Sequence, residues 1–232
     1  MLTAGSRRRL GLVLTLAIAG TLAGSAVTPS APAVLTPVDL SVAAGATDVR
    51  SYVAVGDSIT AGSGPSDRLE FPGPTGWVSG ETAERLVGRG GWAVAGAITA
   101  DMASNAWRTP ADVLVLLGGT NDLTRGIDWE TTAANLATVS TSVGARNTLL
   151  VAIPPNDTFG QGVRADFNDR LAALAGRQGW RFLDPWGPIA VDGRWQVGSS
   201  VDGIHPTPLM AQAIGRAISD ATWTAAARRT GR

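Results

Sequence analysis

Tyr52-Val-Ala-Val-Gly-Asp-Ser-Ile-Thr60 is the stretch on which the fold turns. Tyr52 to Val55 reads as a short buried strand that stops at Gly56 and presents Ser58 just past its end. A serine held on a sharp turn after a strand is a common way to build a nucleophile. The chain carries a single histidine, His205, so a base of the usual kind is already named.

Downstream, apolar runs and helical periods alternate. Trp77 to Val87 predicts a helix, with Trp77, Leu86 and Val87 as core contacts. Trp92 to Ala95 predicts a second strand and Thr99 to Trp107 a short helix. Asp112 to Leu117 contains Val-Leu-Val-Leu-Leu, apolar on both faces as in a central parallel strand. Asp128 is placed to cap a helix running to Val143, with Leu136, Val139 and Val143 spaced at three and four. Thr148 to Ile153 is a fourth strand, stopped by Pro154-Pro155. Val163 to Arg177 is amphipathic through Phe167, Leu171 and Leu174; Trp180 to Leu183 is a fifth strand. Thr207 to Ala227 closes the chain as a helix with Met210, Ile214 and Ile218 on one stripe. Five strands alternating with helices predict an α/β domain whose parallel sheet is covered on both faces.

Upstream, the chain reads differently. Ser6-Arg-Arg-Arg9 is basic, Leu10 to Leu22 is apolar, and Ala23-Gly-Ser-Ala26 offers small residues for cleavage. Residues 1–26 therefore read as a secretory signal peptide, with a loose twin-arginine pattern. The run is short for an uncleaved spanning helix, which needs about 20 apolar residues. Val27 to Val49 is rich in proline and alanine and reads as a linker, so the domain is expected over 50–232. Cleavage after Ala26 leaves 16 arginines against 19 acids, a net charge of −3.

Composition excludes several classes. The 19 basic residues are all arginine, so a phosphate loop ending in Gly-Lys is impossible. Zero net charge argues against a nucleic-acid partner. With no cysteine and one histidine, disulfides, thiolate sites and paired-histidine metal motifs are excluded, and neither metal nor cofactor is expected. Gly88-Arg-Gly-Gly-Trp-Ala93 matches a loose dinucleotide fingerprint, but in the wrong context, and reads as a helix stop and turn.

Open parallel sheets bind ligands at the carboxyl ends of their strands. Ser58 follows the first strand, Gly96 the second, Gly118-Gly-Thr-Asn121-Asp122 the third, and Asp202-Gly-Ile-His205-Pro206 comes after the fifth. Asp202, three residues before His205 on a Gly-containing turn, can fix one ring nitrogen while the other faces Ser58. Ser58 N–H, Gly96 N–H and the Asn121 amide would make a three-donor oxyanion hole. Asp57 and Asp122 read as structural, and Asp184 as a weaker orienter than Asp202. Trp107, Trp186 and Trp195 fall near the site-edge loops and read as packing residues, or as walls of a pocket. The loop from Ala61 to Gly76 reads as a pocket wall, a lid or a passive loop.

These residues resemble the GDSL family of esterases and lipases, also called SGNH hydrolases. Gly56-Asp-Ser-Ile-Thr60 resembles the first of its four blocks, with Ile59 where leucine is more common. Gly96 in Ala95-Gly-Ala-Ile-Thr-Ala-Asp101 resembles the second, without the asparagine many members carry a few residues earlier. Gly119-Thr-Asn-Asp122 and Asp202-Gly-Ile-His205-Pro206 resemble the third and fourth. The resemblance implies a flavodoxin-like α/β/α sandwich with strand order 2-1-3-4-5. It also implies metal-independent hydrolysis of acyl esters by Ser58, His205 and Asp202. The expectation is a secreted or cell-wall-associated monomeric esterase for short acyl esters, with no membrane span left after signal cleavage. A polysaccharide O-acetylesterase, a phospholipase, an acyltransferase and a non-catalytic glycan or lipid binder are the other readings.

Overall fold

The computed structural model describes residues 49–62, 76–80 and 86–227. The expected signal peptide, nearly all of the expected linker, and most of the loop after Ala61 lie outside the described residues. The core is a five-stranded parallel sheet in the order β2-β1-β3-β4-β5. Its strands are β1 (Arg50–Gly56), β2 (Leu86–Ala93), β3 (Val113–Leu117), β4 (Asn147–Val151) and β5 (Arg181–Leu183). Both the α/β class and the order expected from the sequence are found.

β3 is central and buried along its whole length. Successive side chains point to opposite faces, so the one strand supplies two cores. Val113, Val115 and Leu117 join Tyr52, Ala54, Leu149 and Val151 in the first core. There they meet Ile214 and Ile218 of the last helix, α6 (Pro208–Ala227), and Trp77 of a 3-10 turn (Trp77–Gly80). Leu114 and Leu116 join Val53, Val55 and Leu150 in the second core. These pack on Met102 of α2 (Thr99–Asn105), Leu136, Val139 and Val143 of α4 (Trp129–Val143), and Phe167, Leu171 and Leu174 of α5 (Val163–Gln178). Each fully buried leucine contributes roughly 2 kcal/mol of transfer free energy, which is why an uninterrupted apolar run is stable only between two helical layers.

Helix ends follow local chemistry. Asp128 caps α4 by accepting from the Thr131 N–H at 2.8 Å, and Gly144 ends it in the left-handed conformation. α5 ends the same way at Gly179. α6 buries Ala211, Ile214 and Ile218, with Met210 only half-buried.

The second strand departs from expectation. Leu86 and Val87, expected on a helix, open β2, and the glycine run 88–91 lies inside that strand. Pairing with β1 runs Tyr52↔Gly88 and then Ala54↔Gly91, so the register shifts by one residue at a bulge. A side chain at Gly91 would put Cβ 1.8 Å from the Ala54 carbonyl oxygen, with φ at +142°. Glycine here permits close approach of two backbones; its weak strand propensity hid the element. A second departure is the two-stranded hairpin of β6 (Ala190–Val191) and β7 (Arg194–Trp195). Asp192 and Gly193, both at positive φ, make its two-residue turn.

Candidate active site

Ser58 is the first residue of α1 (Ser58–Ala61), immediately beyond β1. Asp57 caps this helix, its Oδ1 accepting from the Ile59 N–H at 3.0 Å. The chain must turn sharply here, because Gly56 ends a strand buried from Tyr52 onward and Ile59 returns to the first core. Asp57 is fully buried. Burial pushes its carboxyl from 3.8 up to about 7; the Ile59 N–H and the charge of His205 act against the rise, and Asp122 adds to it.

His205 reaches Ser58 across the sheet edge. The Ser58 hydroxyl lies 2.9 Å from His205 Nε2, and His205 Nδ1 lies 2.7 Å from Asp202 Oδ2. Burial works against the Asp202 charge, but the His205 N–H, the His205 ring and the Ile204 N–H outweigh it and hold the carboxyl below its usual range. An ionised Asp202 accepts only, so the ring proton sits on Nδ1 and Nε2 is free to accept from the Ser58 hydroxyl. The loop is tightly bonded. Asp202 Oδ1 accepts from Ile204 N–H at 2.9 Å and His205 N–H at 2.8 Å. Ser200 donates its hydroxyl to the His205 carbonyl at 2.6 Å and accepts from the Gly203 N–H at 2.8 Å.

Gly96 sits in a turn over Val94–Ala97, closed by Ala97 N–H to Val94 C=O at 3.1 Å. Gly96 has φ of +78°, and Ala95 is not among the residues with positive φ, so the turn is type II. In that geometry the Ala95–Gly96 peptide stands across the turn, and the Gly96 N–H has no bond within it. It donates to no described residue. The turn lies beside the serine because Val94 N–H donates to the Gly56 carbonyl at 3.3 Å.

Asn121 lies on α3 (Thr120–Thr124), a single helical turn just beyond β3. Its amide donates to the Ala97 carbonyl at 2.9 Å, which brings Asn121 and Gly96 to one place and leaves a second amide hydrogen free. Asp122 is fully buried and accepts the Thr99 N–H at 2.9 Å and the Thr132 hydroxyl at 3.3 Å. It fastens the start of α2 to α3, the structural role expected of it.

Asp184 is not part of this group. It accepts from Arg164 Nη2 at 2.9 Å and from the Trp186 N–H at 2.9 Å. Trp186 is a core residue, its Nε1 donating to the Ala152 carbonyl at 2.8 Å, and it meets Trp195 edge-on at 5.8 Å. Trp107 is half exposed. A cleft of about 590 Å³ lies against the β6–β7 hairpin, lined by Gln161, Val191, Arg194, Trp195 and Val197. Asp157 ties that hairpin to the histidine loop: it accepts the Trp195 N–H at 2.9 Å and gives its own N–H to the Gly203 carbonyl at 2.8 Å.

Three contributors escape a reading of the sequence. Ser200 and Asp157 lie outside the motifs and act on backbone groups of the histidine loop, Ser200 on His205 and Gly203 and Asp157 on Gly203. Arg125 donates to the Gly96 carbonyl at 2.8 Å; its only signal is its position four residues after Asn121, on the same helical face. Among the described residues no cluster of acidic and histidine side chains could hold a metal ion, and no helix is long and apolar enough to cross a membrane.

The model of the GDSL-like lipase/acylhydrolase family matches residues 54–213, a span that includes Ser58, Gly96, Asn121, Asp202 and His205. No curated protein sequence matches significantly. Among solved structures, a carbohydrate acetylesterase from Sinorhizobium meliloti is similar at 21% identity and a TM-score of 0.55, covering 75% of this chain and 99% of its own. A GDSL-like lipase from Bacteroides thetaiotaomicron is similar at 18% identity and a TM-score of 0.55, covering 76% and 89%. A variant of an acetyl-xylooligosaccharide esterase from Geobacillus is similar at 13% identity and a TM-score of 0.54, covering 80% and 97%.

Proposed function

Because the chain belongs to the GDSL-like lipase/acylhydrolase family, a family of ester-cleaving enzymes, we propose that it is a secreted serine esterase for short acyl esters. The observation that carries this reading is the unbroken hydrogen-bonded series from Asp202 through His205 to Ser58. Ser58 attacks the ester carbonyl, and its proton passes to His205 Nε2. Asp202 stabilises the imidazolium and holds the ring in place. The carbonyl oxygen, now an anion, takes hydrogen bonds from the Ser58 N–H, the Gly96 N–H and the free Asn121 amide hydrogen. The tetrahedral species collapses with loss of the alcohol, which takes the proton from His205. Water, deprotonated by the same histidine, then attacks the acyl-serine and releases the acid.

Support for a short acyl group comes from the acetylesterases that share the fold. In this reading the alcohol or sugar part of the ester lies towards the β6–β7 hairpin, which Asp157 ties to the histidine loop. Export rests on the N-terminal sequence, with its basic, apolar and small-residue segments, and the enzyme acts as a monomer without cofactor or metal.

Hydrolysis of a chromogenic ester series, acetyl to palmitoyl, by the full chain tests the reading. The acetyl to butyryl esters turn over fastest, and Ser58→Ala and His205→Ala each lose activity by a factor on the order of 10⁴ or more. A fluorophosphonate labels Ser58 in the wild type alone. Equal rates for wild type and both variants, without labelling, defeat the esterase reading and leave a non-catalytic glycan or lipid binder.

A further inference from the structure

The turn that carries Gly96 is bonded to β1 at its start, through Val94, and to the short helix α3 beyond that. Ala95 at its tip is exposed, and Gly96 itself is half-buried. A glycine-containing turn at the surface keeps more backbone freedom than any other, so something must hold it. α3 provides two donors one helical turn apart. The Asn121 amide takes the Ala97 carbonyl at 2.9 Å, and the Arg125 guanidinium takes the Gly96 carbonyl at 2.8 Å. Two successive carbonyls of the turn are thus pinned to the helix that also carries the Asn121 donor. Arg125 ends this helix, its own N–H bonded to the Asn121 carbonyl. Among the described residues no ion pair engages the guanidinium. Its one bond to a described residue is therefore the bond to Gly96.

We propose that Arg125 is a positioning residue for the oxyanion hole, fixing the Gly96 N–H relative to the Asn121 amide by clamping the Gly96 carbonyl. This rests on the serine esterase reading above. The two donors come from different loops, and both must meet one oxygen of the transition state. A donor displaced by about 1 Å can cost 10²-fold in rate, and one lost altogether 10²–10³-fold. Arg125 touches neither donor's hydrogen, so its loss loosens the arrangement without removing a donor. The expected fall is about tenfold in kcat, below both of those limits. Ground-state binding of the ester does not use this hole fully, so KM stays within about twofold. The guanidinium is exposed, so Tm moves by no more than about 2 °C.

The test compares wild type, Arg125→Met and Arg125→Lys on a chromogenic acetyl ester. A trifluoromethyl ketone inhibitor is measured alongside, because its serine adduct places an oxyanion in the same hole. In Arg125→Met, kcat falls about tenfold and the ketone's Ki rises by the factor that kcat/KM falls. Arg125→Lys keeps the charge and a single donor, and recovers part of the loss. A kcat for Arg125→Met within twofold of wild type overturns the proposal. So does a fall in kcat with an unchanged Ki for the ketone, since a role in general structure or substrate access does not track the oxyanion. If Arg125→Met does not fold, the same comparison of kcat with Ki in Arg125→Lys decides. A wild type with no turnover and no fluorophosphonate labelling overturns the esterase reading itself, a result distinct from an active enzyme indifferent to Arg125.

Discussion

Replacing Asp57 by asparagine should change how stability depends on pH. The Asp57 carboxyl is fully buried and titrates at about 7, against 3.8 when exposed. Below pH 3.8 both folded and unfolded chains hold this proton, and the group costs nothing. Between 3.8 and 7 the unfolded chain has released a proton that the folded chain keeps, so stability falls as pH rises. Above 7 the loss is complete. At 1.36 kcal/mol per unit, the full loss is about 4 kcal/mol, of which about 3 kcal/mol falls between pH 5 and pH 8. That is a large share of the 5–15 kcal/mol typical of a whole domain. Asparagine is neutral throughout and keeps an oxygen for the Ile59 N–H. Its NH₂ replaces Oδ2, which has no partner among the described residues, at a pH-independent cost of roughly 1–3 kcal/mol. Asp57→Asn should therefore match or fall below wild type at pH 5 and exceed it at pH 8. Urea unfolding followed by tryptophan fluorescence at pH 5, 6, 7 and 8 measures this. Groups common to both proteins cancel in the difference. The difference should shift by about 3 kcal/mol towards the variant across that range; parallel curves would refute the assignment of a buried, proton-holding Asp57.

Two glycines give further tests. Gly96→Ala meets no clash, since its Cβ would lie 3.8 Å from Arg125 Nη2, but alanine disfavours the φ of +78° that the type II turn needs. The turn should relax and withdraw its N–H, lowering kcat on the order of 10²–10³-fold on short esters with little change in Tm. An unchanged kcat would remove Gly96 from the oxyanion hole. Gly91→Ala should instead fail in folding: its methyl would sit 1.8 Å from the Ala54 carbonyl oxygen, backbone against backbone. A loss of 3 kcal/mol or more, roughly the upper range for overpacking, should appear in thermal melts. A melting temperature within a few degrees of wild type would mean that β1 and β2 do not approach as closely as described.

The match between sequence and structure depends on how local each signal is. α4 could be read because its cap, its three-and-four spacing and its terminal glycine all lie within the helix. β3 could be read because a strand buried on both faces needs no polar residue at all. β2 could not. Its glycines carry no strand propensity, and the reason for them is the Ala54 carbonyl of the neighbouring strand, more than thirty residues away in sequence. The β6–β7 hairpin was legible in principle, since Asp192-Gly193 is a strong two-residue turn signal. Its strands are only two residues long, too short to show an alternating pattern.

The sequence by itself determined the α/β alternation, the order of the motifs along the chain and which side chains could do chemistry. A chain with one histidine and no cysteine leaves few candidates, and these facts need no neighbours to interpret them. Only the tertiary structure decided that Ser58 and His205, 147 residues apart, lie 2.9 Å from each other. It also decided that Asp202 and not Asp184 holds the ring, because Asp184 is taken by Arg164. The clamp of Arg125 on Gly96 belongs to the same class. Hydrogen bonds between separate loops arise only when parallel strands bring their carboxyl ends to one edge, and that pairing is settled by burial over the whole sheet rather than by any short run of residues.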